Sequence, residues 1–170
     1  MVFYSGFSLK EDDSFFQQYI KDSEYTVAGF SYGAIKAFEY VLSCRDRVDM
    51  LQLFSPAFFQ TKSEAFKRAQ LMAYNKSKDD YLSHFIKGCF EPHELQKTQH
   101  IGTKESELKE LLEYVWNPEK LKDIVHSGVA VEVYLGSEDK IIDVEGANEF
   151  FRKYATTYLI KGANHFLQVK

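Results

Sequence analysis

Val27-Ala28-Gly29-Phe30-Ser31-Tyr32-Gly33-Ala34-Ile35-Lys36-Ala37 is the stretch that decides the fold. It leaves a short apolar run, Tyr25 to Gly29, that reads as a strand. It enters a segment, Ala34 to Ser43, in which Ile35, Phe38, Val41 and Leu42 share one helical face. Between the two stands Gly29-Phe30-Ser31-Tyr32-Gly33, a G-x-S-x-G pattern in a strand–turn–helix setting. The physics of that pattern is steric. A very tight turn exposes the serine hydroxyl, and the flanking glycines remove side chains that would clash inside it. The serine also lies at a helix N-terminus, where backbone N–H groups favour developing negative charge. The competing reading is a glycine-rich turn that happens to hold a serine.

Outward from this turn the chain alternates. Val2 to Ser5 reads as a strand and Ser8 to Asp22 as a helix carrying Phe15, Phe16, Tyr19 and Ile20. Met50 to Phe54 is a third strand, stopped by Ser55-Pro56. A long helical section runs from Thr61 to Ser127, broken at Pro92 and at Asn117-Pro118, with Lys120 to Ser127 its last helix. Val129 to Gly136 is a strand, Val144 to Tyr154 a helix and Thr156 to Ile160 a strand. Strands separated by helices imply a parallel sheet in an α/β fold. The expectation is one domain over residues 1–170 of about five parallel strands. A helical cap, residues 57–127, is inserted between the third and fourth strands.

The 170 residues carry a net charge of -4, with fifteen Phe and eleven Tyr. That composition excludes a globally basic nucleic-acid binder and a disordered chain. No apolar run reaches the length of a membrane span. The first residues lack the charged and apolar regions of a signal peptide, so a cytoplasmic protein with no membrane association is expected. Cys44 and Cys89 are far apart and read as reduced thiols. The five histidines show no metal-ligand spacing, and no metal is expected.

A reactive Ser31 needs a base, and the base needs a carboxylate to orient it. His165 follows the last strand and has no rival at a strand end. Glu138, Asp139 and Asp143 follow the preceding strand and are alternatives for the acid. All lie past the carboxyl ends of strands, where α/β sheets build their sites. Two oxyanion donors are also required. The backbone N–H of Tyr32, next after the serine, is one candidate. The N–H of Phe7, beyond Gly6 at the end of the first strand, is the other.

Several segments together resemble the small BioV-type esterases of biotin synthesis, pimelyl-acyl carrier protein methyl ester esterases of the α/β-hydrolase superfamily. They are Phe3-Tyr4-Ser5-Gly6-Phe7, the Val27–Ala37 stretch, Leu53-Phe54-Ser55-Pro56 and Asn164-His165. The resemblance implies a minimal α/β-hydrolase fold with Ser31 as nucleophile, His165 as general base and acid, and no cofactor. It also implies Asp139 as the orienting acid, because Gly136, Asp139, Ile141 and Ile142 match the family's acid turn. The implied reaction removes the methyl ester of pimeloyl-acyl carrier protein and releases methanol. Ser5-Gly6 stands where many members of the superfamily carry His-Gly, and three strands of the full fold are missing. Other acyl-ester or thioester hydrolases, and a non-catalytic binding protein of the same fold, remain alternatives.

Residues 61–78 hold a local charge of +4, from Lys62, Lys67, Arg68, Lys76 and Lys78 against Glu64. An acidic carrier protein could dock there, the rival reading being a solvated helix face. Phe58 and Phe59, with Phe7, Tyr32, Leu71 and Tyr74, are candidates to line an acyl path. Crossovers that all step one way leave one sheet face short of helices. The face bearing Gln52 and Glu132 is therefore expected to be thinly covered or to form a subunit contact in a homo-oligomer.

Overall fold

A computed structural model describes residues 1–170. In chain order it holds β1 (Val2–Tyr4), β2 (Leu9–Lys10), a 3-10 helix (Asp12–Phe16), β3 (Thr26–Phe30), α1 (Tyr32–Ser43) and β4 (Met50–Phe54). The segment after β4 contains α2 (Glu64–Lys76), α3 (Lys78–Phe90), β5 (Gln99–His100), α4 (Glu105–Glu113) and α5 (Pro118–His126). The chain then closes with β6 (Ala130–Gly136), α6 (Val144–Phe151) and β7 (Thr156–Ile160). The main sheet has five parallel strands in the order β1-β3-β4-β6-β7, so neighbours in space are neighbours in sequence. β2 and β5 form a separate antiparallel ribbon, pairing Leu9 with His100 and Lys10 with Gln99.

Helix boundaries follow local chemistry. The Ser63 and Asn117 side chains accept the first free N–H groups of α2 and α5, and Pro118 starts α5 where no N–H is needed. Gly128, at φ +94°, turns the chain out of α5 in a conformation that glycine adopts without cost.

Strand alternation sorts the core into two layers. Val27, Leu51, Leu53, Val131, Val133 and Leu135 face α1, α5 and α6, with Trp116 and Phe151 buried among them. Ala28, Phe30, Phe54 and Tyr134 point the other way, onto Phe16, Phe90 and Phe166. β7 is an edge strand, with Tyr158 and Leu159 exposed.

Two expectations are corrected. Residues 8–22 do not form one helix. They form β2, a turn through Glu11 at φ 56° and the 3-10 helix. Their aromatic residues do face one way, because Phe16 stacks on Phe54 at 4.8 Å and packs on Phe30 at 4.8 Å across the sheet. That same segment covers the face expected to be bare. The Gln52 side chain is fully buried, accepting the Lys21 N–H at 2.9 Å and donating to the Tyr19 carbonyl at 3.0 Å. Glu132 is buried beside it, bonded to Lys21 at 2.5 Å and to the Tyr134 hydroxyl at 2.8 Å. The backbone of residues 19–21 acts as the missing cover.

No helix is long and apolar enough to cross a membrane.

Candidate active site

Ser31 lies between β3 and α1 at φ 53° and ψ -114°, a conformation that side chains rarely adopt. Close packing enforces it. A Cβ on Gly29 would stand 2.2 Å from the Gly33 carbonyl oxygen, and one on Gly33 would stand 2.0 Å from the Tyr4 carbonyl oxygen. Both contacts are impossible, so the G-x-S-x-G glycines are required by the approach of β1 and α1. The Ser31 N–H donates to the Phe54 carbonyl at 2.9 Å, and the Ser31 carbonyl accepts from Ala57 at 3.1 Å. The turn is fixed on both sides.

His165 is fully buried. Its Nε2 is 3.0 Å from Ser31 Oγ, and its Nδ1 is 2.6 Å from Asp139 Oδ2. A carboxylate only accepts, so Nδ1 carries the proton and Nε2 turns its lone pair to the serine hydroxyl. Asp139 is held in turn by the N–H groups of Ile141 at 2.7 Å and Ile142 at 3.3 Å on Oδ1. The loops that carry acid and base are joined, since Glu138 donates its N–H to the Ala163 carbonyl at 2.8 Å. Gly136 permits this approach: a Cβ there would meet the Asn164 carbonyl oxygen at 2.3 Å. Buried Asn164 ties the histidine loop to α3 through the Phe90 carbonyl at 2.8 Å. The His165 ring rests on Phe30 at 4.9 Å.

The three residues named from the sequence are therefore one hydrogen-bonded chain. The rival acids lie elsewhere. Asp143 caps α6 through Gly146 and accepts from Thr61 at 2.5 Å, and exposed Glu138 approaches Lys140 at 3.9 Å. Cys89 is buried, and burial with nearby Asp139 pushes its thiol well above its usual range, so it is an inert neighbour.

Phe7 and Tyr32 come together at the carboxyl ends of β1 and β3, ring centroids 6.4 Å apart. Tyr32 is the first residue of α1, where an N–H has no intrahelical acceptor. The Phe7 N–H has no acceptor within the protein. The Tyr32 hydroxyl points away from the turn and donates to Glu110 at 2.7 Å.

A cavity of about 360 Å³ lies under α2, α3 and α4. Its walls are mainly apolar: Phe7, Phe59, Phe66, Phe85, Leu111 and Ile141. Phe59 lines it as expected, but Phe58 does not. Phe58 turns down onto α6, against Phe150 and Phe151. Tyr74 is likewise spent on packing, its hydroxyl 2.9 Å from Thr103 Oγ1. The wall residues of α3 and α4 escaped the sequence reading. Their helical spacing marks a buried face without saying whether a cavity or solid core lies against it.

The basic residues of 61–78 are less free than their sequence suggests. Lys67 is largely covered and pairs with Glu64 at 3.2 Å, and Lys78 donates to the Thr103 carbonyl at 2.6 Å. Lys62 lies over the Phe66 ring at 5.5 Å, while Arg68 and Lys76 are exposed.

No family model and no curated protein sequence matches the chain. Solved structures do. Naproxen esterase (carboxylesterase NP) from Bacillus subtilis aligns with a TM-score of 0.56 and 17% identity, over 92% of this chain and 58% of that one. A bromoperoxidase from Bacillus anthracis gives 0.64 and 13%, over 83% and 60%. Est816, an N-acyl homoserine lactone degrading enzyme, gives 0.67 and 14%, over 99% and 86%. The chain spans about three fifths of the first two structures' length. With its parallel five-stranded sheet and such neighbours, the chain has the α/β-hydrolase fold, in a small form.

Proposed function

We propose that this protein is a serine ester hydrolase. The observation that carries the reading is the unbroken chain from Ser31 Oγ through His165 to Asp139, with two N–H groups beside it that have no partner. His165 takes the hydroxyl proton as Ser31 Oγ attacks the ester carbonyl. The Phe7 and Tyr32 N–H groups hold the oxyanion. The C–O bond to the alcohol then breaks, and His165 returns the proton to the departing oxygen. Water, activated by the same imidazole, cleaves the acyl-enzyme and frees the acid. Neighbours of the same fold include carboxylesterases, among them the naproxen esterase and CesB of Bacillus subtilis.

The substrate we propose is the methyl ester of pimeloyl-acyl carrier protein, cleaved to methanol and the free carboxylate. The resemblance of the Ser31 turn and of Phe3–Phe7 to BioV-type esterases supports it. So does the apolar cavity, whose volume suits an acyl chain of medium length. Arg68 and Lys76 on α2 are exposed to an acidic carrier, and half-buried Lys62, just before α2, adds a third cation.

The test is mass spectrometry of the carrier-bound methyl ester after incubation with wild type and with Ser31→Ala. Loss of one methyl group by wild type alone, with the thioester intact, is the expected result. Loss of the whole acyl group would make the protein a thioesterase. No change with either protein would overturn this substrate.

A further inference from the structure

Phe7, the second donor of the proposed oxyanion hole, sits in the most irregular loop of the molecule. Ser8, at φ 64°, and Glu11, at φ 56°, are both left-handed without being glycine. Such conformations persist only where the surroundings over-determine them. Three bonds do so here. The Leu9 N–H donates to the Gly6 carbonyl at 3.1 Å, and the Ile101 N–H, just past β5, donates to the Ser8 carbonyl at 3.0 Å. The third is made by a side chain: the Gly6 N–H donates to Asp12 Oδ2 at 2.8 Å.

Asp12 is 2% exposed, and its other oxygen, Oδ1, has no hydrogen-bond partner. Burial raises its carboxyl above the ordinary carboxylate range, and the Gly6 N–H, with smaller help from the Ser5 hydroxyl and its own N–H, only partly offsets this. A buried carboxyl with one good bond and one unmet oxygen is a poor device for stability. It is a good device for holding one N–H still. The neighbouring geometry leaves no slack, because a Cβ on Gly6 would strike the Phe30 ring at 2.8 Å.

We propose that Asp12 is a positioning residue for the oxyanion hole. By accepting the Gly6 N–H it fixes one peptide plane, and so aims the next N–H along the chain, that of Phe7. The inference rests on the reading of Ser31 as nucleophile and Phe7 as donor. The bond needs an acceptor oxygen and not a charge, so Asn should serve at this position and Ala should not.

Wild type, Asp12→Ala and Asp12→Asn are treated with a fluorophosphonate probe. Ser31 Oγ displaces its fluoride, and the phosphoryl oxygen occupies the hole. Asp12→Ala should label about 10- to 100-fold more slowly, short of the loss that follows removal of a donor itself. Its kcat on p-nitrophenyl butyrate should fall by the same factor, with KM within about twofold. Asp12→Asn should stay within about threefold of wild type on both measures. Labelling of Asp12→Ala at the wild-type rate would overturn the proposal. Equal losses in both variants, each folded by circular dichroism, would also overturn it. If Asp12→Ala does not fold, Asp12→Asn decides alone: normal labelling supports the role, and a loss above about tenfold overturns it. A wild type that takes no label would overturn the reading of Ser31, and the role of Asp12 with it.

Discussion

Gln52 and Glu132 face each other across β4 and β6 in the middle of the sheet, and the loops beyond the strands' carboxyl ends surround Ser31. In the middle, the buried polar groups are matched. Gln52 bonds Lys21, Tyr19, Glu132 and Tyr134, and Glu132 also holds Lys21 and Tyr134. Around Ser31, Ser8 Oγ, Asp12 Oδ1, Ser55 Oγ and Gln168 Oε1 are all buried without a partner. The five non-glycine residues at positive φ, Ser8, Glu11, Ser31, Ser55 and Leu167, lie in those same loops. Local rules of folding are broken together and in one place. The difference teaches that strain here follows chemistry, while the sheet's middle supplies the stability that offsets it.

The largest effect should come from removing strain and the proposed nucleophile at once. Ser31→Gly should lower kcat on a p-nitrophenyl ester by about 10⁴- to 10⁶-fold. It should also raise stability by about 1 kcal/mol, since glycine adopts the Ser31 backbone angles freely. A urea unfolding curve beside the kinetics checks both. A less stable Ser31→Gly would break the comparison.

The middle should respond in the opposite way. Glu132→Leu leaves the Gln52 amide and the Tyr134 hydroxyl short of a buried partner, and should cost about 1–3 kcal/mol of stability. The kcat of the folded variant should remain within about twofold of wild type. Urea midpoints and initial rates measure the two sides separately.

The finest distinction is the sign of the pH response. Burial works against ionisation of Glu132, but bonds from Lys21, Tyr134 and Gln52 outweigh it and hold the carboxyl below its ordinary range. Its folded value lies below its unfolded one, so its stabilisation is present above about pH 4.3 and is lost as pH falls through the folded value. Asp12 is shifted upward by burial. It stabilises below about pH 3.9, its unfolded value, and that contribution fades as pH rises through its higher folded value. Urea midpoints from about pH 3 to about pH 7 should therefore diverge between Glu132→Gln and Asp12→Asn. Parallel curves for the two variants would show that the two carboxyls do not differ.

What the sequence revealed and what it hid follow the same division. The turn at Ser31 was legible because two glycines flanking a serine answer a local steric demand. His165 was legible because it alone stands just past a strand, whereas position left Glu138, Asp139 and Asp143 open and only the resemblance of Gly136, Asp139, Ile141 and Ile142 to the family's acid turn singled out Asp139. Residues 8–22 were misread because Phe15, Phe16, Tyr19 and Ile20 have helical spacing while their partners, Phe30, Phe54 and Phe166, are remote in sequence. Asp12 stays out of sight in the sequence. Nothing local marks a carboxyl that folds back on Gly6 and is sealed in. Gln52 and Glu132 signalled a solvent-facing side, and the cover came from backbone groups at Tyr19 and Lys21, which a pattern of side chains cannot announce.

The strand order β1-β3-β4-β6-β7 has a consequence for how the molecule comes into being. During synthesis each new strand can dock on the one made just before it, so the sheet can grow outward along one edge as the chain lengthens. The Ser31 turn is emplaced early, with β3, β1 and α1. Asp139 and His165 arrive only with the last two strands. Until then the strained serine has no base, and a half-made chain is a scaffold without a reactive hydroxyl.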